Sequence, residues 1–376
     1  MNDFSKRHIV RGFIIFAIIF TFGILINILL SIRTQEGMTT RMTMQMTEIA
    51  STPNPYLETL AKHEKERIFP YRYFRNENDK ILPIVAVTGF YRDERARKLF
   101  QEYTENGIKI IGVTAYKSFP KPITDTTGDS ETKSDPFNYA KNIENWMCCF
   151  SDPSHYGFTD QNNLIEMSES DFYDVDEEMV VSPPKKEYDI MYVCLDDDDK
   201  TCPANGWNAV NRNFKTAQAC LPIFINEYNL KVLVIGRQGC GLEELYGNKI
   251  KVTGFLEWSV FQDHLKKSRI LFVPNIYDAS PRVAPEAIIK NIPVLMNRNI
   301  LCGAKYINPE TGELFTDEFD IRMALDDLLV KIDTIQPAQW WRNHYTVAKM
   351  GKKLRDFLYP SFKKELEYVN QVKMFL

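Results

Sequence analysis

Two carboxylates, Asp278 and Glu286, stand with seven residues between them in the stretch 274–293, PNIYDASPRVAPEAIIKNIP. Ser280 and Arg282 lie between them, and Pro281 and Pro285 precede or open a short helix. Free backbone N–H groups at such a helix start, with a guanidinium beside them, form a cradle for a phosphate group. One carboxylate falls at a strand end and the other in or near the first helical turn, so both can face one crevice. The same residues suit a plainer role, in which Ser280 or Asp278 caps the helix and Glu286 complements its dipole.

The elements around this turn decide what it can do. Residues 270–274 form an apolar run that reads as a buried strand, Asn291 ends the helix that carries Glu286, and residues 293–296 form a second apolar run. Upstream, strands are predicted at 188–195, 231–235 and 249–253, with helices at 210–226 and 260–268. Alternation at this spacing predicts a doubly wound parallel sheet, in which ligands sit at the strand C-termini. Residues 319–330 and 339–372 read as helices that close the chain.

Further residues fall in order around the turn: Val234-Ile235-Gly236-Arg237, Val252-Thr253-Gly254-Phe255, and 303–315, GAKYINPETGELF. With Pro274-Asn275, Asp278-x7-Glu286-Ala287 and Asn291-Ile292-Pro293-Val294, these resemble the nucleotide-binding domain of GT-B glycosyltransferases of the retaining family-4 (group 1) type. Within that type the Asp-Ala-Ser-Pro-Arg form of the turn is similar to a branch found in algae and large DNA viruses. The resemblance covers residues 188–315. Two positions differ from the family pattern. Asp278 replaces a Glu and shortens its reach by one methylene, and Asn291 replaces a Gly at a helix C-cap, where Asn tolerates the left-handed conformation.

The resemblance implies an α/β, GT-B-like fold, with two Rossmann-like domains facing a cleft. It implies transfer of a sugar from a nucleotide sugar to an acceptor, with retention and with no metal or other cofactor. Carried over by residue, Glu286 holds the ribose hydroxyls and Asp278 faces the sugar. Arg237, with Arg212 or Lys215, neutralises the diphosphate, while Gly236, Ser280 and Arg282 complete the donor site. Cations suit such a site because departure of a nucleoside diphosphate builds negative charge.

The acceptor side falls to residues 80–182, and the donor side to 183–338, with the boundary at Pro183-Pro184; 339–376 is a closing helical segment. Strands are predicted at 81–87 and 108–113 around a helix at 93–106, a β-α-β unit. Residues 124–135 read as a polar loop, 139–150 as a helix containing Trp146, and the acidic run 166–178 as a solvated linker face. Tyr91, Arg92 and His155 are the candidates for contact with the acceptor, whose class (glycan, protein or lipid) is open.

Asp196 to Asp199 could be read as the Asp-x-Asp metal site of a GT-A transferase, with Asp196 and Asp198 as ligands. The simpler reading is a solvated loop. A catalytically inactive, membrane-anchored binding protein is a third reading. The seven cysteines include no CxxC pair, which gives no zinc signature. One disulfide among Cys194, Cys202, Cys220 and Cys240 is open.

Residues 12–32 are almost unbroken in apolar character, and about 21 residues at ~1.5 Å each span roughly 31 Å of hydrocarbon. Lys6, Arg7 and Arg11 precede the stretch and only Arg33 follows closely, which places the N-terminus in the cytosol. The expectation is a cytosolic tail (1–11), a signal anchor in the lipid bilayer (12–32), and a stem (33–79). That describes a type II membrane protein with a lumenal body, in the Golgi, the endoplasmic reticulum or a viral host endomembrane. A chain of 376 residues, 44% hydrophobic and 26% charged, suits two domains. Its net charge of -4 and lack of a long basic run give no electrostatic reason to expect nucleic acid as a partner.

Overall fold

The computed structural model describes residues 54–115, 117, 119–121, 136–150, 152–197 and 201–374. The expected tail and anchor, residues 33–53 of the stem and the loop 124–135 lie outside the described residues. Among the described residues no helix is long and apolar enough to cross a membrane.

Five strands open the first lobe: Tyr71–Asn76 (β1), Ile81–Val87 (β2), Lys109–Val113 (β3), Asn145–Met147 (β4) and Asn163–Ile165 (β5). β2 to β5 are parallel, and β1 runs antiparallel to β2. The helix Glu94–Glu105 connects β2 to β3, as the predicted β-α-β unit requires. Two expectations fail here. The described end of the stem is a helix, Leu57–Glu66, followed by β1, and both pack on the sheet through Leu60, Tyr73 and Phe74. The 139–150 helix shrinks to Tyr139–Asn142, because Trp146 is needed in β4, where its ring fills the space over Gly112.

The second lobe holds Tyr188–Val193 (β6), Val232–Ile235 (β7), Ile250–Thr253 (β8), Ser268–Val273 (β9), Val294–Asn297 (β10) and Gly312–Phe315 (β11). They pair in the order β11-β10-β9-β6-β7-β8, all parallel. Both faces are covered, which is why β7, β9 and β10 are apolar runs and not alternating ones, while the edge strands β8 and β11 are mixed. Ile190, Val234, Ile270 and Phe272 pack under the helices Phe214–Pro222 and Ile321–Lys331. Met191, Leu233, Leu271 and Met296 pack under Leu265, Ala287, Ile288 and Trp341.

The closing segment does not stay with the second lobe. After the helix Pro337–His344, the helix Val347–Leu358 lays Met350, Leu354 and Leu358 on the first sheet. The chain then ends in a strand, Val372–Met374 (β12), antiparallel to β1, which makes the first sheet β12-β1-β2-β3-β4-β5. The first lobe is therefore built from both ends of the described chain, and the reading of 339–376 as a separate helical segment is corrected.

Candidate functional site

β9 delivers the chain at Val273 to the turn that carries Asp278, and the helix Val283–Ile288 follows. Asn291 takes the left-handed conformation after that helix, with φ 59°, as its place at a C-cap requires. Asp278 is fixed from three sides. Its Oδ2 accepts from Nη1 of Arg212 and from Nδ2 of Asn275 at 2.9 Å, and its Oδ1 accepts the Ser280 N–H at 3.1 Å. Arg212 ends the helix Trp207–Asn211, and the carbonyl of Asn211 accepts the N–H groups of Ile276 and Tyr277 at 3.3 and 3.4 Å. Helix end and strand-end turn are thus held together by backbone as well as charge.

This turn forms one wall of a crevice of about 330 Å³ between the lobes. Arg212, Tyr277, Asp278 and Arg282 line it from the second lobe, and Arg72 and Lys117 from the first. Lys117 is buried and lies 4.9 Å from the centre of the Tyr277 ring. Four cations and the two carboxylates Asp278 and Glu169 line the space, so the crevice favours an anion.

Glu169 and its neighbours contradict the solvated reading of the acidic run. Glu169 is buried and accepts from Nη2 of Arg282 at 2.8 Å. Asp171 is buried and accepts from the Tyr306 hydroxyl and from Nζ of Lys305 at 2.8 Å. Ser170 and Ser280 share a hydroxyl hydrogen bond of 2.8 Å. The run is the strap that fastens the lobes together. Glu169 and Asp171 are buried because each finds a partner on the other side, whereas Glu166, Asp174, Glu177 and Glu178 of the same run are exposed, as the solvated reading expects.

Glu286 sits on the helix behind the turn, 8% exposed. Oε2 accepts from Nε2 of Gln262 at 2.9 Å and Oε1 from the Tyr173 hydroxyl at 3.3 Å. Burial pushes its pKa up, against those hydrogen bonds and the nearby charges of Lys290 and Arg282. Each oxygen keeps accepting capacity for a further donor.

Arg237 does not stand as an open cation. Its side chain is fully buried, donating to the carbonyls of Leu195 (2.7 Å) and Pro203 (3.2 Å) and to Oδ2 of Asp197 (2.7 Å). The expectation that it meets the diphosphate is corrected, since its charge is already neutralised inside the second lobe. Gly236 beside it has φ 92°, and a Cβ there would meet the Cys194 carbonyl oxygen at 2.0 Å, so only glycine fits. Lys215 is exposed on the helix Phe214–Pro222 and is not among the residues that line the crevice.

On the first lobe, Tyr91 is core. It is buried against Tyr71, Phe137 and Tyr139, and its N–H donates to the Tyr139 hydroxyl at 2.7 Å. Arg92 is exposed and lies 4.0 Å from the centre of the Phe69 ring. Neither is among the residues that line the crevice. His155 belongs to the 3-10 turn Pro153–Tyr156, and its side chain lies outside what is described.

The Asp run is also explained locally. Asp197 accepts the N–H groups of Asn208 (2.6 Å) and Ala209 (3.1 Å), so it caps the helix that ends at Arg212. Asp196 accepts the Gln238 N–H at 3.4 Å, and Asp198 lies outside the described residues. Among the described residues no group of three His, Cys, Asp or Glu side chains is placed to hold a metal ion. The one disulfide among them joins Cys202 to Cys240 across 38 residues and ties the loop over Arg237.

Sequence reading missed Arg72, Lys117, Tyr277 and Glu169 as crevice residues. No local signal marks Arg72 or Lys117, because only the meeting of the lobes brings them to the turn.

No protein-family model matches the chain, and no curated protein matches it in sequence. Solved structures with similar folds include a sucrose-phosphate synthase from Thermosynechococcus elongatus, at 14% identity and TM-score 0.48, over 82% of this chain and 81% of that one. A glycosyltransferase from Rickettsia africae ESF-5 matches at 14% identity and TM-score 0.48, over 83% of each chain. The lipopolysaccharide outer core galactosyltransferase WaaB matches at 14% identity and TM-score 0.49, over 74% of this chain and 76% of that one. At this similarity no residue role is carried over from them.

Proposed function

We propose that this chain is a glycosyltransferase that moves a sugar from a nucleoside-diphosphate donor to an acceptor hydroxyl. The observation that carries the reading is the crevice at the C-terminal ends of parallel strands, where Arg212 holds Asp278 and Arg72, Lys117 and Arg282 converge. In the reaction the bond between sugar C1 and the diphosphate oxygen breaks, with its electron pair leaving on the diphosphate. A bond forms from C1 to the acceptor oxygen, and the acceptor proton passes to the departing phosphate oxygen. Attack on the face that the leaving group vacates gives retention.

In this reading Arg212, Lys117 and Arg282 balance the charge that builds on the diphosphate, without a divalent ion. Arg237 acts indirectly, through the loop that sets the helix of Arg212. Asp278, oriented by Arg212 and Asn275, accepts from a sugar hydroxyl. Glu286, oriented by Gln262 and Tyr173, accepts from the ribose hydroxyls. Residues 12–32 hold the body on the lumenal side of an endomembrane. The family resemblance over 188–315 supports the donor class, and the charge of the crevice supports it independently.

The test is to titrate UDP- and GDP-sugars against the protein, with and without EDTA, and to repeat the titration with Arg212→Ala. One donor is expected to bind and to be hydrolysed or transferred in EDTA, and the variant to lose roughly 100-fold or more in turnover. Failure of every nucleotide sugar to bind would sink the reading, and loss of activity in EDTA would sink its metal-independent form.

A further inference from the structure

A second hollow, of about 860 Å³, adjoins the crevice and shares Arg72 and Arg282 with it. Five cations line it: Lys65, Arg67, Arg72, Arg75 and Arg282. The two acids in its wall are already engaged. Glu64 takes a two-pronged contact from Arg75, and Asp79 pairs with Lys373 at 3.2 Å. Arg72 and Arg282 share the single buried carboxylate of Glu169, at 3.8 and 2.8 Å. Lys65 and Arg67 are exposed and form no ion pair among the described residues. The hollow therefore carries positive charge that the protein leaves unbalanced.

Helix-end electrostatics account for part of this. Lys65 stands in the last turn of the helix Leu57–Glu66 and Arg67 is its left-handed cap, where cations offset the helix dipole. That does not account for Arg72, which lies in β1, or for Arg282, which comes from the other lobe. Guanidinium groups from separate elements, converging on open space, match the several acceptor oxygens of a phosphate better than a single carboxylate.

We propose that this hollow seats a phosphate group carried by the acceptor. The site lies across Arg72 and Arg282 from the donor crevice, so an acceptor anchored there by its phosphate presents a hydroxyl toward the sugar. The word acceptor rests on the transferase reading above, whereas the phosphate site stands on the charge of the hollow alone. The phosphate could belong to a soluble sugar phosphate or to a lipid headgroup.

The full chain, in phosphatidylcholine nanodiscs, would be titrated with glucose 6-phosphate, glucose and glucuronic acid by calorimetry. Glucose 6-phosphate is expected to bind at least ~10-fold more tightly than the other two, and to weaken as salt is raised. The Lys65→Gln/Arg67→Gln double variant is expected to lose at least ~10-fold of that affinity while melting only slightly lower, as loss of two helix-end cations implies, and Arg212→Ala keeps the affinity. Nanodiscs containing phosphatidylglycerol separate the two sources: displacement of the sugar phosphate assigns the site to a lipid headgroup, and no displacement assigns it to a soluble acceptor. Equal binding by the double variant, loss with Arg212→Ala, or no preference over glucose would each overturn the proposal. Nucleotide-sugar titration of the same variants reads the donor crevice separately, so the two proposals fail independently.

Discussion

The Arg212 guanidinium donates to Oδ2 of Asp278 across 66 residues of sequence, joining the end of one helix to the turn after β9. Asp278 is largely shielded, with a side chain 11% exposed, so removing Arg212 leaves a poorly solvated carboxylate. A double-mutant cycle with Arg212→Ala and Asp278→Asn should therefore show coupling of about 1–3 kcal/mol in stability, the double variant being less destabilised than the sum of the singles. Urea denaturation reads this directly. Additive effects would mean that the two side chains do not support each other.

Glu286 makes two opposite pH predictions. Burial raises its pKa, so the folded protein holds the proton to higher pH than the unfolded chain does. Stability from this group is greatest when it is protonated, and falls as pH rises from the ordinary carboxylate range through the raised pKa. Glu286→Gln should thus melt at a higher temperature than the parent near pH 8, with the difference vanishing toward about pH 3. Donor affinity should run the other way, improving in the parent as the carboxylate ionises and losing that pH dependence in Glu286→Gln. Calorimetric melting and donor titration across pH separate the two.

Arg237 should behave as a structural residue. Arg237→Met leaves Asp197 without its buried partner and removes the bonds to Leu195 and Pro203, a loss of about 3–5 kcal/mol. The conservative change Arg237→Lys should not preserve the arrangement, because one ammonium cannot reach three acceptors held by a planar fork. The denaturation midpoint is the readout. A large fall in donor affinity with unchanged stability would return Arg237 to the binding site.

The Cys202–Cys240 bridge closes a loop of 38 residues, and Cys202→Ala should destabilise the oxidised protein by about 2–4 kcal/mol. The difference should disappear when parent and variant are compared in reductant. Guanidinium unfolding with and without dithiothreitol measures it.

The second lobe was legible in the sequence because burial on both faces makes β7, β9 and β10 continuous apolar runs, each followed by a turn. β1 and β12 were not. Tyr-Arg-Tyr-Phe-Arg-Asn mixes long charged side chains with core rings, and Val372-Lys-Met374 is too short to show a period. Asp278 stood out by its place at a strand end, and Arg212 entered as a candidate only through the family resemblance. Glu169 and Asp171 were lost among neighbouring acids, since their partners Arg282 and Lys305 stand 113 and 134 residues away. Arg237 illustrates the opposite error: the family resemblance assigned it to a phosphate, yet Asp197 had already claimed it.

The return of the chain to the first lobe has a mechanical consequence. The backbone passes between lobes twice, and the two passages touch: the Trp341 indole donates to the Tyr173 carbonyl at 2.8 Å, and the Val347 N–H donates to Asp174 at 3.1 Å. Two such tethers resist twisting of the lobes more than bending about the line through them, and Tyr345, stacked on Trp341 at 4.6 Å, lies in one of the two passages.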